Sequence, residues 1–224
     1  MGKAGSNPDE IGKLVEALSV FQRKVEDELE PFIALIREMP KESENLKIFK
    51  QACSDYWMKH KHHGRLSRYV TKDLLKTTGT RKDKLQWILW YLCVLEGIEH
   101  TVVNLLVILI NICRTKSEIA NSGRYSHMKR IVKARSLADL EEKFIPLGVK
   151  LRFLGANGLK EIAAVIDTEF RNDVAHFRFD VQDEEIVVGD KKIMPLIVEN
   201  IGKLVRLLAV VSEYLKKLAY EEVW

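Results

Sequence analysis

The chain has 224 residues, enough for one generous domain or for one domain with a helical elaboration, and its 46% hydrophobic content can bury a real core. Five prolines and 12 glycines are too few for the many tight turns of a multi-stranded β fold, which leaves a mostly helical molecule. The formal charge of +4 does not by itself specify a nucleic-acid binder, and the three widely spaced cysteines Cys53, Cys93 and Cys113 suit a reducing, cytoplasmic setting rather than a disulfide framework or a zinc site.

In chain order, 1–7 reads as a loose tail without the roughly 7–15-residue apolar core of a signal peptide. From Pro8, the positions Ile11, Leu14, Val15, Leu18, Phe21, Val25 and Leu29 recur at helical spacing, and Pro31 is expected to bend or end that helix. Ser43–Met58 predicts a second helix, Lys59–Arg68 a basic loop, and Ser67–Lys76 a shorter helix closed around Gly79. Lys84–Arg114 is the strongest element, apolar nearly all round, as in a helix surrounded by others. Glu96, Glu99 and His100 divide its apolar run Leu85–Cys113 into uncharged pieces of 11 and 13 residues, each short of the roughly 20 that a membrane span needs. A buried central helix, with no membrane partner, is the expectation.

Thr115–Arg135 is polar and basic, broken at Asn121-Ser122-Gly123. Ser136 is placed to cap a short helix through Phe144, and Asn157 to cap one that begins near Leu159 and buries Ile162, Ala163, Val165, Ile166 and Phe170. After His176 the pattern alternates, with a turn-like Gln182–Glu185, which predicts a small β-hairpin. Pro195 then opens a final amphipathic helix to about Glu221. The fold expected is an all-α helical bundle with a long buried central helix and a small β-hairpin after the helix that ends at His176.

That helix carries Arg171-Asn172-Asp173-Val174-Ala175-His176. Residues four apart differ by about 40° around a helix, so Asn172 and His176 share a face, and the long Arg171 side chain can swing towards it. Ile166, Phe170, Val174 and Phe177 supply an apolar backing. A fixed cation, an amide and a group that titrates near neutrality suit a phosphodiester. Taken alone, the spacing is common by chance, and a lone helical histidine is more often structural than catalytic.

The surroundings add to the motif. Residues 84–221 resemble the HEPN superfamily, whose signature is an Arg-x4-6-His motif, often with asparagine after the arginine, ending a helix of a small helical bundle. The long helix with internal carboxylates upstream, and the hairpin and final helix downstream, fit the same pattern. The division that follows is an N-terminal helical extension over 1–83 and a HEPN-like bundle over 84–224, or one compact domain overall. The resemblance implies a metal-independent endoribonuclease with no cofactor. In such enzymes the histidine assists attack of a ribose 2′-hydroxyl on the adjacent phosphate, leaving a 2′,3′-cyclic phosphate and a 5′-hydroxyl. The arginine stabilises the developing charge. It also implies a homodimer with the motifs facing one another, and a role in stress or antiviral defence. Carried over, Arg171 and His176 are catalytic, Asn172 orients, and Asp173 supports. Relatives with a modified tyrosine two residues after the histidine have no counterpart here, because Arg178 stands at that position.

Glu96, Glu99, His100 and Asn104 interrupt an otherwise apolar helix, so they either pair with something, such as Arg171 or His176, or mark a face that reaches solvent. Lys59–Arg68 and Arg114–Arg135 concentrate positive charge, the second through Arg114, Lys116, Arg124, Lys129, Arg130, Lys133 and Arg135 against Glu118. Either this is a solvated loop, or it offers RNA a positive field, with Tyr125 and His127 to stack on unpaired bases. His60, His62 and His63 lack the helical i, i+4 spacing and the cysteine or carboxylate of a closed metal site. From another functional class, a non-catalytic helical module that dimerises or binds RNA or a protein fits the same sequence.

Overall fold

The computed structural model describes residues 8–74, 81–115, 118–119, 126–142, 145–176, 178–182, 185–188 and 191–221. Helices α1 (Pro8–Glu38) and α2 (Glu44–Leu74) lead into a central rod made of α3 (Arg81–Ile98), a π-helical turn (Glu99–Val103) and α4 (Asn104–Cys113). The short helices α5 (Ser126–Val132), α6 (Leu137–Glu142), α7 (Leu147–Ala156), α8 (Lys160–Ala164) and α9 (Thr168–Ala175) follow. The strands β1 (Asp180–Gln182), β2 (Glu185–Val188) and β3 (Lys191–Lys192) come next, and α10 (Met194–Tyr220) closes the chain. The molecule is an all-α bundle around a long central helix.

The packing explains why the central rod is so apolar. Helix α2 lies against both α3 and α4, α10 lies against α3, and α1 lies against α10 and α4. Every residue from Thr101 to Ile112 is buried as a result. By length and composition Leu85–Cys113 would suffice to cross a membrane, an 18-residue stretch of it having a mean hydropathy of 1.8, but 72% of that stretch is buried inside the bundle. Val25 of α1, Phe49 of α2, Val107 of α4, Phe153 of α7 and Leu207 of α10 belong to one hydrophobic core, so the elements before and after residue 84 share it.

Several boundaries differ from those expected. Helix α1 continues past Pro31 to Glu38, so the proline does not end it. Proline in a helix interior costs about 3 kcal/mol, but Leu29, Phe32, Ile33 and Ile36 around it are all core residues, and their burial outweighs the lost hydrogen bond. The expected basic loop at Lys59–Arg68 is instead part of continuous α2. His60 stacks on Tyr56 one turn earlier in α2 at 5.6 Å, and the His63 ring packs against Gly97 of α3, so a local contact and a tertiary one hold these residues as helix.

Helix α7 was not anticipated, and Asn157 ends it rather than starting the next one. Gly158 has φ +101°, its N–H reaches Gly155 O (3.4 Å), and the Leu159 N–H reaches Leu154 O (3.0 Å). Leu154 and Leu159 are both fully buried, which completes a Schellman C-cap. The helix expected from Leu159 to His176 is also two helices, α8 and α9, broken at Val165–Asp167. Ser136 caps α6 as expected, its Oγ accepting from Asp139 N (3.1 Å), while Phe144 lies outside the described residues.

The hairpin forms after the motif helix, with Val181 opposite Ile186 and Gln182 opposite Glu185. The two-residue strand β3 extends it, Val188 pairing with Lys191, so the sheet is a three-stranded antiparallel meander in the order β1-β2-β3. The fully buried Ile186 and Ile193 tie it to the bundle.

Candidate functional site

Helix α9 begins where the Asp167 carboxylate accepts hydrogen bonds from the N–H groups of Glu169 and Phe170, both at 3.0 Å. Val174 is fully buried, and the Phe170 ring sits 5.7 Å from that of Tyr91 on α3, so the helix is anchored along one side. The other side presents the motif. Arg171 and Asp173 are half-buried, and Asn172 and His176 are exposed. Arg171 Nη1 donates to Asn172 Oδ1 (3.2 Å), and among the described residues the guanidinium forms no ion pair. His176 closes the helix as its C-cap, its N–H bonded to Asn172 O (2.9 Å). Asp173 faces Arg178 at 3.7 Å. Phe177, expected in the apolar backing, lies outside the described residues.

Beside α9 is an open cavity of about 1090 Å³, bounded by the π-turn and helices α6 to α9. Glu99, His100, Glu141, Lys150, Arg171 and Asn172 line it. Two motif residues therefore share a cleft with two of the residues that interrupt the central helix. His176, Asp173 and Glu96 are not among its lining residues.

The carboxylates of the central helix do not pair with Arg171 or His176, as one reading of the sequence expected. Glu99 is held instead by Lys150, whose ammonium lies 3.3 Å from Glu99 Oε1 with a side chain 2% exposed. A buried pair of this kind is costly to desolvate and is kept only when both partners stay. His100 Nε2 meets Glu96 Oε1 at 2.9 Å, and its Nδ1 lies 3.3 Å from Glu141 Oε1. Lys59 of α2 ion-pairs with the same Glu141 oxygen. Burial pushes the Glu141 carboxyl up, but Lys59 and His100 together outweigh it and hold it below the ordinary value. Asn104 is fully buried, and its side-chain amide has no hydrogen-bond partner among the described residues.

A π-turn inserts a residue into the helical repeat and re-aims the side chains around it. Here it carries both Glu99 and His100 at the cavity. Lys150, Glu141 and Lys59 were missed in the sequence. A lysine between Val149 and Leu151 in the run Leu147–Leu154 was the one visible signal, because a charge inside an apolar stretch needs a partner.

The basic segment contributes elsewhere. Lys129, Arg130 and Lys133 are exposed on and just after α5, whereas Arg135 is half-buried and donates to Ala134 O (3.3 Å) and Asn111 O (3.5 Å). None of the four lines the cavity. Arg124 and Tyr125 lie outside the described residues, and His127 is half-buried. His60 and His63 are packed within α2, and among the described residues no three His, Cys, Asp or Glu side chains are grouped to hold a metal. No family model, curated protein or solved structure matches the chain.

Proposed function

We propose that the protein is a metal-independent endoribonuclease of the HEPN type, working as a homodimer. The observation that carries this reading is the motif helix itself. Arg171, Asn172 and His176 are all at least partly exposed on a helix anchored by Val174, and the Arg171 guanidinium is free of any carboxylate among the described residues. A composite site built across a two-fold axis requires such a surface motif. An arginine without a local counter-ion is available for a phosphate. In this reading His176 moves the proton of the attacking 2′-hydroxyl, Arg171 stabilises the charge that develops on phosphorus-bound oxygen, and Asn172 orients Arg171. The exposed Lys129, Arg130 and Lys133 provide a positive surface for the RNA backbone.

The position of His176 outside the cavity favours a second reading, a non-catalytic module that binds RNA or a protein through the same surface. One experiment separates the two. Wild type and His176→Ala are incubated with a mixed RNA pool, with and without a chelator. The enzyme reading predicts cleavage by wild type that survives the chelator and is lost in the variant. Equal cleavage by both proteins, or none by either while RNA is still bound, supports the second reading.

A further inference from the structure

Glu99 and Glu141 reach the cavity from different elements, the π-turn and α6, and each spends one oxygen on a cation that belongs to the fold. Lys150 bonds Glu99 Oε1, while Lys59 and His100 both meet Glu141 Oε1. Among the described residues no donor bonds the Oε2 atom of either carboxylate, so two acceptors remain for a ligand that brings N–H or O–H groups. The same cavity carries the opposite chemistry. Arg171 and the exposed Lys160 line it without an ion pair among the described residues, next to the Asn172 amide. Leu140, Leu147, Leu151 and Ile166 give it aliphatic walls. Its volume of about 1090 Å³ is at or above the roughly 300–1,000 Å³ of ordinary small-molecule sites.

A ligand that suits this lining is anionic at one end, rich in donors at the other, and carries an apolar face for the aliphatic side chains. A nucleoside monophosphate has all three properties. Guanine is the base that sets an N1–H and an exocyclic amino group side by side, with no acceptor between them to oppose a carboxylate. We propose that this cavity binds a guanosine monophosphate unit, its phosphate on Arg171 and Lys160 and its base edge on Glu99 and Glu141. The unit is supplied either as a free nucleotide or as an unstacked guanosine of a single-stranded RNA. Binding of this kind uses Arg171 as a cation and requires no turnover at His176, so it goes beyond the ribonuclease reading and stands or falls separately.

The test is calorimetric titration of the full chain with GMP, with inosine monophosphate, with UMP, with inorganic phosphate, and with short single-stranded oligoribonucleotides that contain or lack guanosine. GMP is expected to bind, inosine monophosphate to bind more weakly for want of the amino group, and phosphate alone to bind far more weakly than GMP. Glu141→Gln is expected to weaken GMP by about tenfold, since it replaces a charged acceptor with a neutral amide. Ala164→Trp, at an exposed lining position that tolerates size, should abolish binding while leaving the melting temperature near that of wild type. Binding by guanosine oligonucleotides but not by GMP identifies RNA as the source, and the reverse identifies a free nucleotide. Equal affinity for GMP, UMP and phosphate, or no binding by any ligand, overturns the proposal. RNA cleavage without GMP binding would leave the ribonuclease reading intact, and GMP binding without cleavage would leave this one intact.

Discussion

Lys150 shows what a buried charge asks of its neighbours. With its side chain 2% exposed, Lys150 cannot turn to water without unpacking α7 from the π-turn, whereas Glu99, 12% exposed, still borders the cavity. Removing one partner of such a pair costs about 3–5 kcal/mol, because the other is left buried and unpaired. Lys150→Met is therefore expected to lower stability by that order, and Glu99→Gln combined with Lys150→Met to recover much of it. Urea unfolding of the two single variants and the double variant measures the coupling. Additive losses would contradict the pairing.

His60 and His63 make a second case at this scale. Burial lowers both imidazole pKa values, His63 and Lys216 adding to the effect at His60; at His63, His100, Lys59 and His62 add to it against an opposing Glu96. The folded pKa lies below the unfolded one, so the unfolded chain takes up protons first as pH falls. Their contribution is complete above the ordinary imidazole pKa of about 6.5 and is lost as pH drops through the folded values. The melting temperature should fall from about pH 7.5 to about pH 5, and fall less in the double variant His60→Gln/His63→Gln. The same pH slope in both proteins would show that these rings do not carry the effect.

At the scale of elements, the motif helix depends on a cap. α9 has eight residues, too few to be stable alone, and it is held by Val174, by Phe170 against Tyr91, and by the Asp167 side chain over its first turn. Asp167→Ala is expected to cost about 1 kcal/mol in stability and to loosen the turn that carries Arg171. Hydrogen exchange of the Glu169 and Phe170 amides reads this directly, with faster exchange in the variant predicted and unchanged exchange contradicting it.

Elements also show what could be seen in advance. The central rod was legible as a long run apolar nearly all round, the hairpin as alternation about the turn-like Gln182–Glu185, and α10 as an amphipathic stretch opened by Pro195. The break at Val165–Asp167 was hidden, because Ile162, Val165, Ile166 and Phe170 keep an apolar stripe across it and the cap acts through a side chain that no periodicity reports. Continuous α2 was hidden for the opposite reason. Its polar second half is held by partners distant in sequence, Lys59 to Glu141 and His63 against Gly97. The motif residues were legible as a local pattern, but the cleft was not, since Glu99, Glu141 and Lys150 meet only after folding.

For the molecule as a whole, one core joins α1 and α2 to the described elements that follow, so the motif helix rests on a framework that includes both N-terminal helices. That framework sets Arg171 and Asn172 at the edge of a charged cavity and His176 on the open surface, a layout that a second copy of the chain would complete in the proposed enzyme. The most direct test of that account is end-group analysis of RNA incubated with wild type and with His176→Ala in the presence of a chelator. The proposed chemistry predicts 2′,3′-cyclic phosphate and 5′-hydroxyl ends from wild type, none from the variant, and no cleavage at a 2′-deoxy position. Fragments with 5′-phosphate ends, or identical cyclic-phosphate products from His176→Ala, would contradict it.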